Sequence, residues 1–497
     1  MTAHATGPLP ALREALLEAG YQQPARSAQR SRSAFSRPDG VPAAVGDSSS
    51  DRRLGGLIDL FAYGRELEHR AATRALAPAT PDALARAGIL QRRNGRWRSR
   101  FMIAGDGDVF VLGDLPRRGR RRDHVDGVTS VALLAHHLTV PVNGGSLLDL
   151  GTGSGIQALL AARAGGRVVG TDVNARALRM AQLGAQLSAV SDVRWREGSW
   201  YEPVAGERFD RIVCVAPYVV SPDSEFTFRD GDRAGEEPVR VATAGARAHL
   251  AAGGCAQVLV CWGHGAAEDW SRTPMSWLAP RGADVLLLRL AEVDPVRYAL
   301  SWNRPPLRTL TPTAYDEVMG RWLTYYARQG FDQISFAAVC IRRRTSGAAA
   351  GTGRLSLDAT APCGEQSGAQ IGRALINLEL LAGCRDDAAL RALAPAIPEG
   401  QRVEQRLQHD GQRYRLRRAS VRQGDGLGVS VEVSAAVLEA IYRLDGRRTL
   451  DQALTDVGVK RNAAGRTRTA ETLAAVRELA QAGLLELQAT NNSTTTG

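Results

Sequence analysis

A glycine-rich turn that follows an apolar run is the strongest chemical signal in the chain. The run Leu147–Leu150 contains one acid, Asp149, and leads into Gly151–Gly155, whose sequence is Gly-Thr-Gly-Ser-Gly. Glycine has no Cβ, so the backbone of such a turn can approach a bound ligand closely. Asp172 ends the next strand pattern, where an acid in a doubly wound fold binds ribose hydroxyls. These residues predict a nucleoside site.

The spacing of the glycines distinguishes between two kinds of ligand that contain a nucleoside. A dinucleotide site has the pattern G-x-G-x-x-G, but here Gly155 comes one residue early and Ile156 occupies the expected position. Asp149 would repel a pyrophosphate, whereas it suits the positively charged amino end of S-adenosylmethionine (SAM). We therefore predict SAM as the cofactor, with S-adenosylhomocysteine (SAH) as its product. A glycine-rich turn without a ligand is the alternative.

The predicted cofactor site extends over three strand ends. Its residues are Asp149, Gly151, Thr152, Gly153, Gly155, Asp172, Val173, Asn174, Gly198 and Ser199. Gly198 and Ser199 follow the third strand pattern, where such folds cover the adenine ring. The alternative for this pair is an ordinary turn between a strand and a loop.

A proline and an aromatic residue follow the fourth strand pattern, in the segment Val215-Ala216-Pro217-Tyr218. Together with Asp149–Gly155 and Asp172–Asn174, this segment resembles the small-domain methyltransferases. That family includes the release-factor glutamine N-methyltransferases and some rRNA guanine and adenine N-methyltransferases. The layout is similar to actinobacterial relatives that add a domain on each side. The resemblance is specific over Ser146–His264 and weaker elsewhere, and it implies a SAM-dependent methyltransferase.

The catalytic loop departs from the family pattern, which is Asn/Asp-Pro-Pro-Tyr/Phe. Pro217 and Tyr218 agree with it, whereas Val215 and Ala216 do not. In the family, the Asn side chain and a backbone carbonyl accept hydrogen bonds from a planar amine or amide, and the aromatic ring stacks on that group. In-line positioning accounts for most of the catalysis. The Val215 side chain accepts no hydrogen bond. We predict that Val215, Ala216, Pro217 and Tyr218 form the catalytic loop.

Three functions are compatible with this departure. The favoured one is methyl transfer to N or O of a specialised metabolite or peptide that does not need the Asn. The second is N-methylation of a protein glutamine or of an RNA or DNA base through the backbone and Tyr218. The third is a catalytically weak SAM-binding protein that acts as a nucleic-acid or protein interaction module.

Several polar side chains are candidates for contact with the acceptor: His124, Tyr218, Glu225, Asp230 and His264. His124 and His264 are expected near the carboxyl ends of the strands, where ligands bind in this architecture. The alternative for each is a structural histidine. Glu225 and Asp230 follow the catalytic loop, and the alternative for them is capping of a helix that starts near Glu236. No spacing of Cys and His indicates a metal site.

Alternating strand and helix patterns from Ser146 to about Arg344 predict an α/β class with a doubly wound, Rossmann-like parallel sheet. The predicted strands are Ser146–Leu150, Arg167–Thr171, Asp192–Arg196, Phe209–Cys214, Cys255–Cys261, Val285–Leu290 and Ile334–Arg342. A helix over Val125–Leu138 is predicted to lead into this domain.

Two smaller domains are predicted beside the central one. Thr80-Pro81 is typical of a helix start, and Asn94-Gly95 suits a type I′ hairpin turn; this helix and hairpin outline indicates a winged helix, which binds nucleic acid or only packs. The predicted boundaries are 1–140 for the N-terminal domain (22–53 flexible), 141–345 for the methyltransferase domain, 346–368 for a linker, 369–489 for a C-terminal α+β, winged-helix-like domain and 490–497 for a disordered tail.

The charge of the chain bears on its partners. The net charge is +11, and Lys460 is the only lysine. An anionic partner such as RNA would fit this balance, but codon bias in a GC-rich genome explains it as well, so nucleic acid is not the favoured partner. The absence of a CxxC pair, a signal peptide and a membrane-length apolar stretch predicts a cytoplasmic protein with no membrane contact. The oligomeric state is left open.

Overall fold

The computed structural model describes residues 7–21, 52–115, 121–141, 144–215, 217–225, 227–230, 235–278, 282–303, 310–345, 353–359, 361–456 and 463–489. Ala216, the predicted tail 490–497 and nearly all of the predicted flexible insertion 22–53 lie outside the described residues, as does the side chain of Asp230.

Helices and two hairpins form the N-terminal region. They are α1 (Pro8–Glu18), α2 (Arg52–Phe61), α3 (His69–Leu76), α4 (Pro81–Arg86), β1 (Leu90–Arg93), β2 (Arg96–Ser99), β3 (Met102–Asp106) and β4 (Val109–Gly113). The Thr80 hydroxyl accepts a hydrogen bond from the Ala83 amide and so caps α4 as predicted. Asn94 and Gly95 have φ values of 48° and 78°, which a type I′ turn requires.

The central region alternates strands and helices. Its elements are α5 (Ser130–Leu138), β5 (Ser146–Leu150), α6 (Ile156–Arg163), β6 (Arg167–Asp172), α7 (Ala175–Leu187), β7 (Val193–Glu197), β8 (Phe209–Cys214), α8 (Thr227–Asp230), α9 (Glu237–Ala246), β9 (Leu250–His264), α10 (Arg272–Ser276), β10 (Ala283–Val293), α11 (Pro295–Asn303), α12 (Pro312–Gln329), β11 (Gln333–Arg343) and β12 (Arg354–Asp358).

These strands form one eight-stranded sheet in the order β12-β10-β11-β9-β8-β5-β6-β7. The α/β class is confirmed, and β9, β8, β5, β6 and β7 pair in parallel. The sheet is mixed rather than wholly parallel, because β11 runs antiparallel to both β9 and β10. Strand β12 lies within the predicted linker 346–368 and pairs in parallel with β10.

The loop before the central sheet differs from the prediction. The predicted helix Val125–Leu138 begins only at Ser130, because the Thr129 hydroxyl accepts a hydrogen bond from the Ala132 amide (3.0 Å) and caps α5. The preceding residues therefore remain in an open loop, 121–129, beside the carboxyl ends of the strands.

The C-terminal region follows β12. Its elements are α13 (Ser367–Gly383), α14 (Asp387–Arg391), β13 (Ala394–Ala396), β14 (Gln401–His409), β15 (Tyr414–Gln423), β16 (Ser430–Val433), α15 (Ala435–Ile441), α16 (Leu450–Asp456), α17 (Ala463–Gln481) and β17 (Glu486–Gln488). Strands β14, β15 and β16 form an antiparallel sheet, and β13 pairs with β17.

Both flanking regions share apolar cores with the central one. Ala177 and Met180 of α7 pack into the N-terminal core. Val131 of α5 and Ile371 of α13 belong to one buried cluster that runs from the sheet into the C-terminal region. Gly368 lies so close to α5 that an added Cβ would stand 2.1 Å from the Thr139 carbonyl oxygen. Among the described residues, no helix has the length and apolarity to cross a membrane.

Candidate active site

A cavity of about 480 Å³ opens at the carboxyl ends of β5, β6, β7 and β8. The cofactor residues predicted from the sequence line it together, except Gly155: the lining includes Asp149, Gly151, Thr152, Gly153, Asp172, Val173, Asn174, Gly198 and Ser199. Parallel strands end at the same edge of a sheet, so motifs far apart in sequence meet there.

The glycines of the turn serve two purposes. Gly151, Gly153 and Gly155 all have left-handed backbones, with φ values of 71°, 54° and 86°, which residues with a Cβ adopt at a cost. A Cβ on Gly153 would meet no atom within 4 Å, so this position is open toward the cavity. A Cβ on Gly155 would lie 2.9 Å from the Ala181 Cβ and 3.0 Å from the Trp195 ring. Gly155 therefore permits close packing of α6 rather than lining the cavity.

Asp149 is buried at the start of this turn. Its Oδ2 accepts hydrogen bonds from the Thr152 hydroxyl (2.5 Å) and from the Ala158 amide (3.1 Å). Burial raises the pKa of Asp149 to about 7, because the charged form loses its hydration, and the two hydrogen bonds only partly offset this. The carboxyl group is therefore poised to change charge near neutral pH.

Asp172 ties the turn to the next loop. One carboxylate oxygen accepts from the Gly153 amide (2.8 Å) and the other from the Asn174 amide (2.8 Å). Burial raises the pKa of Asp172, and these hydrogen bonds oppose the shift. The Asn174 side chain caps α7 through the Arg176 amide (3.0 Å). Asp172 thus fixes the backbone on two sides of the cavity.

Residues that follow β7 line the part of the cavity where the cofactor is predicted to bind. Gly198 donates its amide to the Asp172 carbonyl oxygen (3.1 Å). Its φ is 152°, and an added Cβ would lie 2.5 Å from the Pro203 Cγ. Ser199 and Trp200 follow it into the lining. A glycine at 198 is therefore required by both backbone conformation and packing.

The described part of the predicted catalytic loop lines the same cavity: Val215, Pro217 and Tyr218. The Tyr218 ring packs edge-on against Trp302 (6.2 Å between centroids) and at a tilt against Phe336 (5.6 Å). Burial raises the pKa of the Tyr218 hydroxyl, so this group stays neutral. The loop places an apolar side chain, Val215, beside the aromatic ring.

The acceptor candidates separate into two groups. His124 lines the cavity, whereas Glu225 is exposed and His264 is buried outside the lining. His264 was expected beyond the end of a strand at Cys261, but β9 continues through it, so its ring packs into the sheet and hydrogen-bonds the Ser335 hydroxyl (3.0 Å). The expectation that His264 and Glu225 reach the cavity is corrected accordingly.

The helix predicted near Glu236 is α9, which begins at Glu237. Glu236 precedes α9 but makes no side-chain capping bond; its carboxylate instead accepts from the Gly263 amide (2.9 Å). Burial raises its pKa to about 7.

Several lining residues carried no sequence signal. They come from loop 121–129, α8 and α11 and include Asp126, Thr227, Arg229, Ser301 and Trp302. Their positions depend on long-range packing, as the hydrogen bond from the Thr227 amide to the Arg122 carbonyl oxygen (3.0 Å) illustrates. No cluster of three or more potential metal ligands occurs among the described residues.

Residues 122–258 match the family model "Methyltransferase small domain". This region is a methyltransferase small domain. The match covers the glycine-rich turn, Asp172 and the catalytic loop. It confirms the predicted enzyme class for this domain, a SAM-dependent methyltransferase, and the predicted cofactor.

Curated methyltransferases are similar to part of this chain. The release factor glutamine methyltransferase of Xylella fastidiosa (strain Temecula1 / ATCC 700964) is 41% identical over 133 residues, which are 24% of this chain and 48% of that protein. That of Aliivibrio fischeri is 36% identical over 114 residues, 22% of this chain and 38% of that protein. The ubiquinone biosynthesis O-methyltransferase of Paracidovorax citrulli is 37% identical over 86 residues, which are 17% of this chain and 36% of that protein. The chain thus spans about half or less of each relative.

Solved methyltransferases show only a distant likeness. The T. thermophilus 16S rRNA N2 G1207 methyltransferase in complex with AdoMet and guanosine aligns with a TM-score of 0.27 at 17% identity, covering 52% of this chain and 57% of that chain.

Proposed function

We propose that this protein transfers the methyl group of SAM to N or O of a specialised metabolite or peptide acceptor. The observation that carries the proposal is one shared cavity, lined on one side by the glycine-rich turn and Asp172 and on the other by Val215 and Tyr218. The apolar Val215 stands where the small-domain family has a hydrogen-bonding side chain. An acceptor that depends on that side chain is therefore disfavoured.

The residues present fit SAM. The open position at Gly153 admits the ligand next to the backbone, and Asp172 has further lone pairs for ribose hydroxyls beyond its two backbone donors. Val173 is apolar yet 52% exposed and lines the cavity, so it offers a surface for the adenine ring beside Ser199. The ionised form of Asp149 suits the ammonium group of the methionine moiety.

The chain's own contribution to the chemistry is positioning. When bound, SAM supplies an electrophilic methyl group on a sulfonium. The Tyr218 ring, held by Trp302 and Phe336, would orient a planar or apolar part of the acceptor. Holding the reacting atom in line with the methyl group removes much of the entropic barrier of a bimolecular step.

A second candidate is N-methylation of a protein glutamine. It is supported by the relatives named release factor glutamine methyltransferases, at 41% and 36% identity. With Val215 in place of Asn, such an enzyme would have to hold the amide through backbone groups and Tyr218. An RNA or DNA base would need the same arrangement.

Replacing Tyr218 tests the proposal directly. The purified protein is incubated with methyl-labelled SAM and either tyramine, which carries an amine and a hydroxyl, or N-acetylglutamine methylamide. We expect label in tyramine, and we expect Tyr218→Ala to lower kcat about 100-fold, because lost positioning of this kind costs about that much. The affinity for SAH should stay unchanged in calorimetry.

The controls separate the candidates. Tyr442→Ala removes a tyrosine that is 59% exposed and should leave kcat unaltered. Label in the glutamine probe alone would favour the second candidate. Full activity of Tyr218→Ala would remove the loop from the mechanism, and absence of SAH binding to the wild type would refute the cofactor assignment in this chain.

Asp149 should make cofactor affinity depend on pH. Its pKa is raised to about 7, so the affinity for SAH, whose ammonium prefers the ionised carboxylate, should rise about fivefold between pH 6 and pH 7. Without ligand the sign is opposite: the native state keeps a proton that the unfolded chain has lost, so this group lowers the free energy of unfolding as pH rises from about 4 to about 7. Calorimetric titration with SAH between pH 6 and pH 7 should show an affinity that does not change with pH for Asp149→Asn. A pH dependence of the affinity unchanged from wild type would show that another group controls binding.

A further inference from the structure

A row of ionisable side chains, Arg176, Asp114, His124 and Asp126, leads to the cavity on the side of loop 121–129. Asp126 lines the cavity with a side chain that is 31% exposed. Its Oδ1 lies 3.1 Å from Nε2 of His124, and Nδ1 of His124 lies 3.4 Å from Oδ2 of Asp114. The His124 side chain is only 10% exposed. The Asp126 carboxylate, which lines the cavity, is thus in contact with the largely buried His124.

The end of this row away from the cavity is fixed by hydrogen bonds. The Asp114 Oδ2 accepts a hydrogen bond from the Val125 amide (2.9 Å), and both of its oxygens pair with the Arg176 guanidinium. These hydrogen bonds hold the pKa of Asp114 below its usual range against the effect of burial. His124 is therefore held between two carboxylates, and its Nε2 contact would fix the orientation of the Asp126 carboxylate.

The cavity end of this row is Asp126, which lines the cavity together with the predicted catalytic loop. Asp126, Val215 and Tyr218 line the same cavity, and the negative charge of Asp126 contributes to the raised pKa of Tyr218. The Thr227 amide also bonds to the carbonyl oxygen of Arg122 (3.0 Å), which ties loop 121–129 to the segment after the catalytic loop. Asp126 therefore lies on the acceptor side of the site.

We propose that Asp126 is a catalytic residue that accepts the hydrogen of the acceptor's reacting N–H or O–H, and that His124 is its positioning residue. Asp126 would supply the hydrogen-bond acceptor that the Val215 side chain cannot provide. The inference rests on the proposed methyl transfer and narrows its substrate class to amines and hydroxyl compounds whose reacting atom carries a hydrogen.

The step balances without a further reactant. The lone pair of the acceptor nitrogen or oxygen forms the bond to the methyl carbon, while the carbon–sulfur bond breaks and its electron pair stays on sulfur, which leaves neutral SAH. The acceptor's hydrogen passes as a proton to a carboxylate oxygen of Asp126. Asp126 returns this proton to water after the product leaves.

The test uses binding, so that it does not depend on knowing the natural acceptor. The probe is a SAM analogue with nitrogen in place of sulfur and an aminoethyl group in place of the methyl, which puts an ammonium where the acceptor would stand. We expect Asp126→Ala to weaken its binding about 10- to 100-fold, as loss of a charged hydrogen bond does. Asp126→Asn should have a smaller effect, and SAH should bind to all variants as to the wild type.

Matched variants sharpen the outcome. Asp123→Ala removes a neighbouring carboxylate that pairs with Arg121, and it should leave both affinities unchanged. His124→Ala should weaken the probe while His124→Gln, which keeps a donor, restores most of its binding. Equal loss of SAH and probe in Asp126→Ala, or no loss of either, would overturn the proposal. If SAH fails to bind the wild type, the proposed function fails instead.

Discussion

Asp172→Ala is expected to weaken SAH binding by at least about 100-fold. The carboxylate holds the Gly153 and Asn174 amides, at 2.8 Å each, and it is the candidate partner of the ribose. Each hydrogen bond from one of the two ribose hydroxyls to this carboxylate would contribute about 1.5–3 kcal/mol, so the loss of both amounts to about 3 kcal/mol or more, which is about 100-fold in affinity.

Calorimetry with SAH measures this effect. Asp192→Ala provides a matched control, because Asp192 is an exposed carboxylate next to the opposite end of β7. Its affinity should equal that of the wild type. A loss of less than tenfold in Asp172→Ala would contradict the assignment of Asp172 to the cofactor site, provided that circular dichroism shows a folded variant.

Arg344→Met is expected to lower the free energy of unfolding by about 3–5 kcal/mol, as breaking a buried ion pair does. Asp284 and Arg344 are 0% and 5% exposed, and the guanidinium donates to both carboxylate oxygens at 2.8 and 2.5 Å. The Gly353 amide donates to the same carboxylate (2.8 Å). Removing the cation leaves a buried negative charge with too little compensation.

Urea unfolding with two comparison variants checks this prediction. Arg418→Met breaks an exposed pair with Glu432, whose side chains are 67% and 58% exposed, and it should cost less than about 1 kcal/mol. Removing both charges of the buried pair, in Asp284→Asn with Arg344→Met, should be milder than Arg344→Met alone. Equal midpoints for Arg344→Met and Arg418→Met would show that the buried pair does not stabilise β10 and β12.

The sequence predicted which residues of the candidate cofactor site meet at one cavity, because that information is local. An apolar run that ends in Asp149 and glycine defines both the bounds of β5 and the turn, and β8 has the predicted bounds. The backbone angles at Gly151 and Gly153 are of a kind that glycine favours. At this turn the glycine content, the left-handed backbone angles and the location at the carboxyl end of β5 all indicate the same site.

The acceptor half could not be predicted in the same way. Trp302 enters the cavity from a helix far along the chain, and the contact between His124 and Asp114 crosses from the loop to the end of β4. Neither depends on a local pattern. The antiparallel direction of β11 was missed for a similar reason, because an apolar run has no direction until it is paired. His264 was misplaced because β9 extends further than its apolar run.

The close approach of Gly368 to Thr139 makes the central and C-terminal regions depend on each other, although the sequence predicts separate domains. Helix α5 supplies Ser130 and Val131 to the cavity and is braced from behind by α13, where no side chain larger than hydrogen fits at position 368. The C-terminal region therefore supports the wall of the cavity that α5 provides. A substitution that alters how α13 packs against α5 should therefore change this wall of the cavity, even though α13 lies outside the region that matches the methyltransferase model.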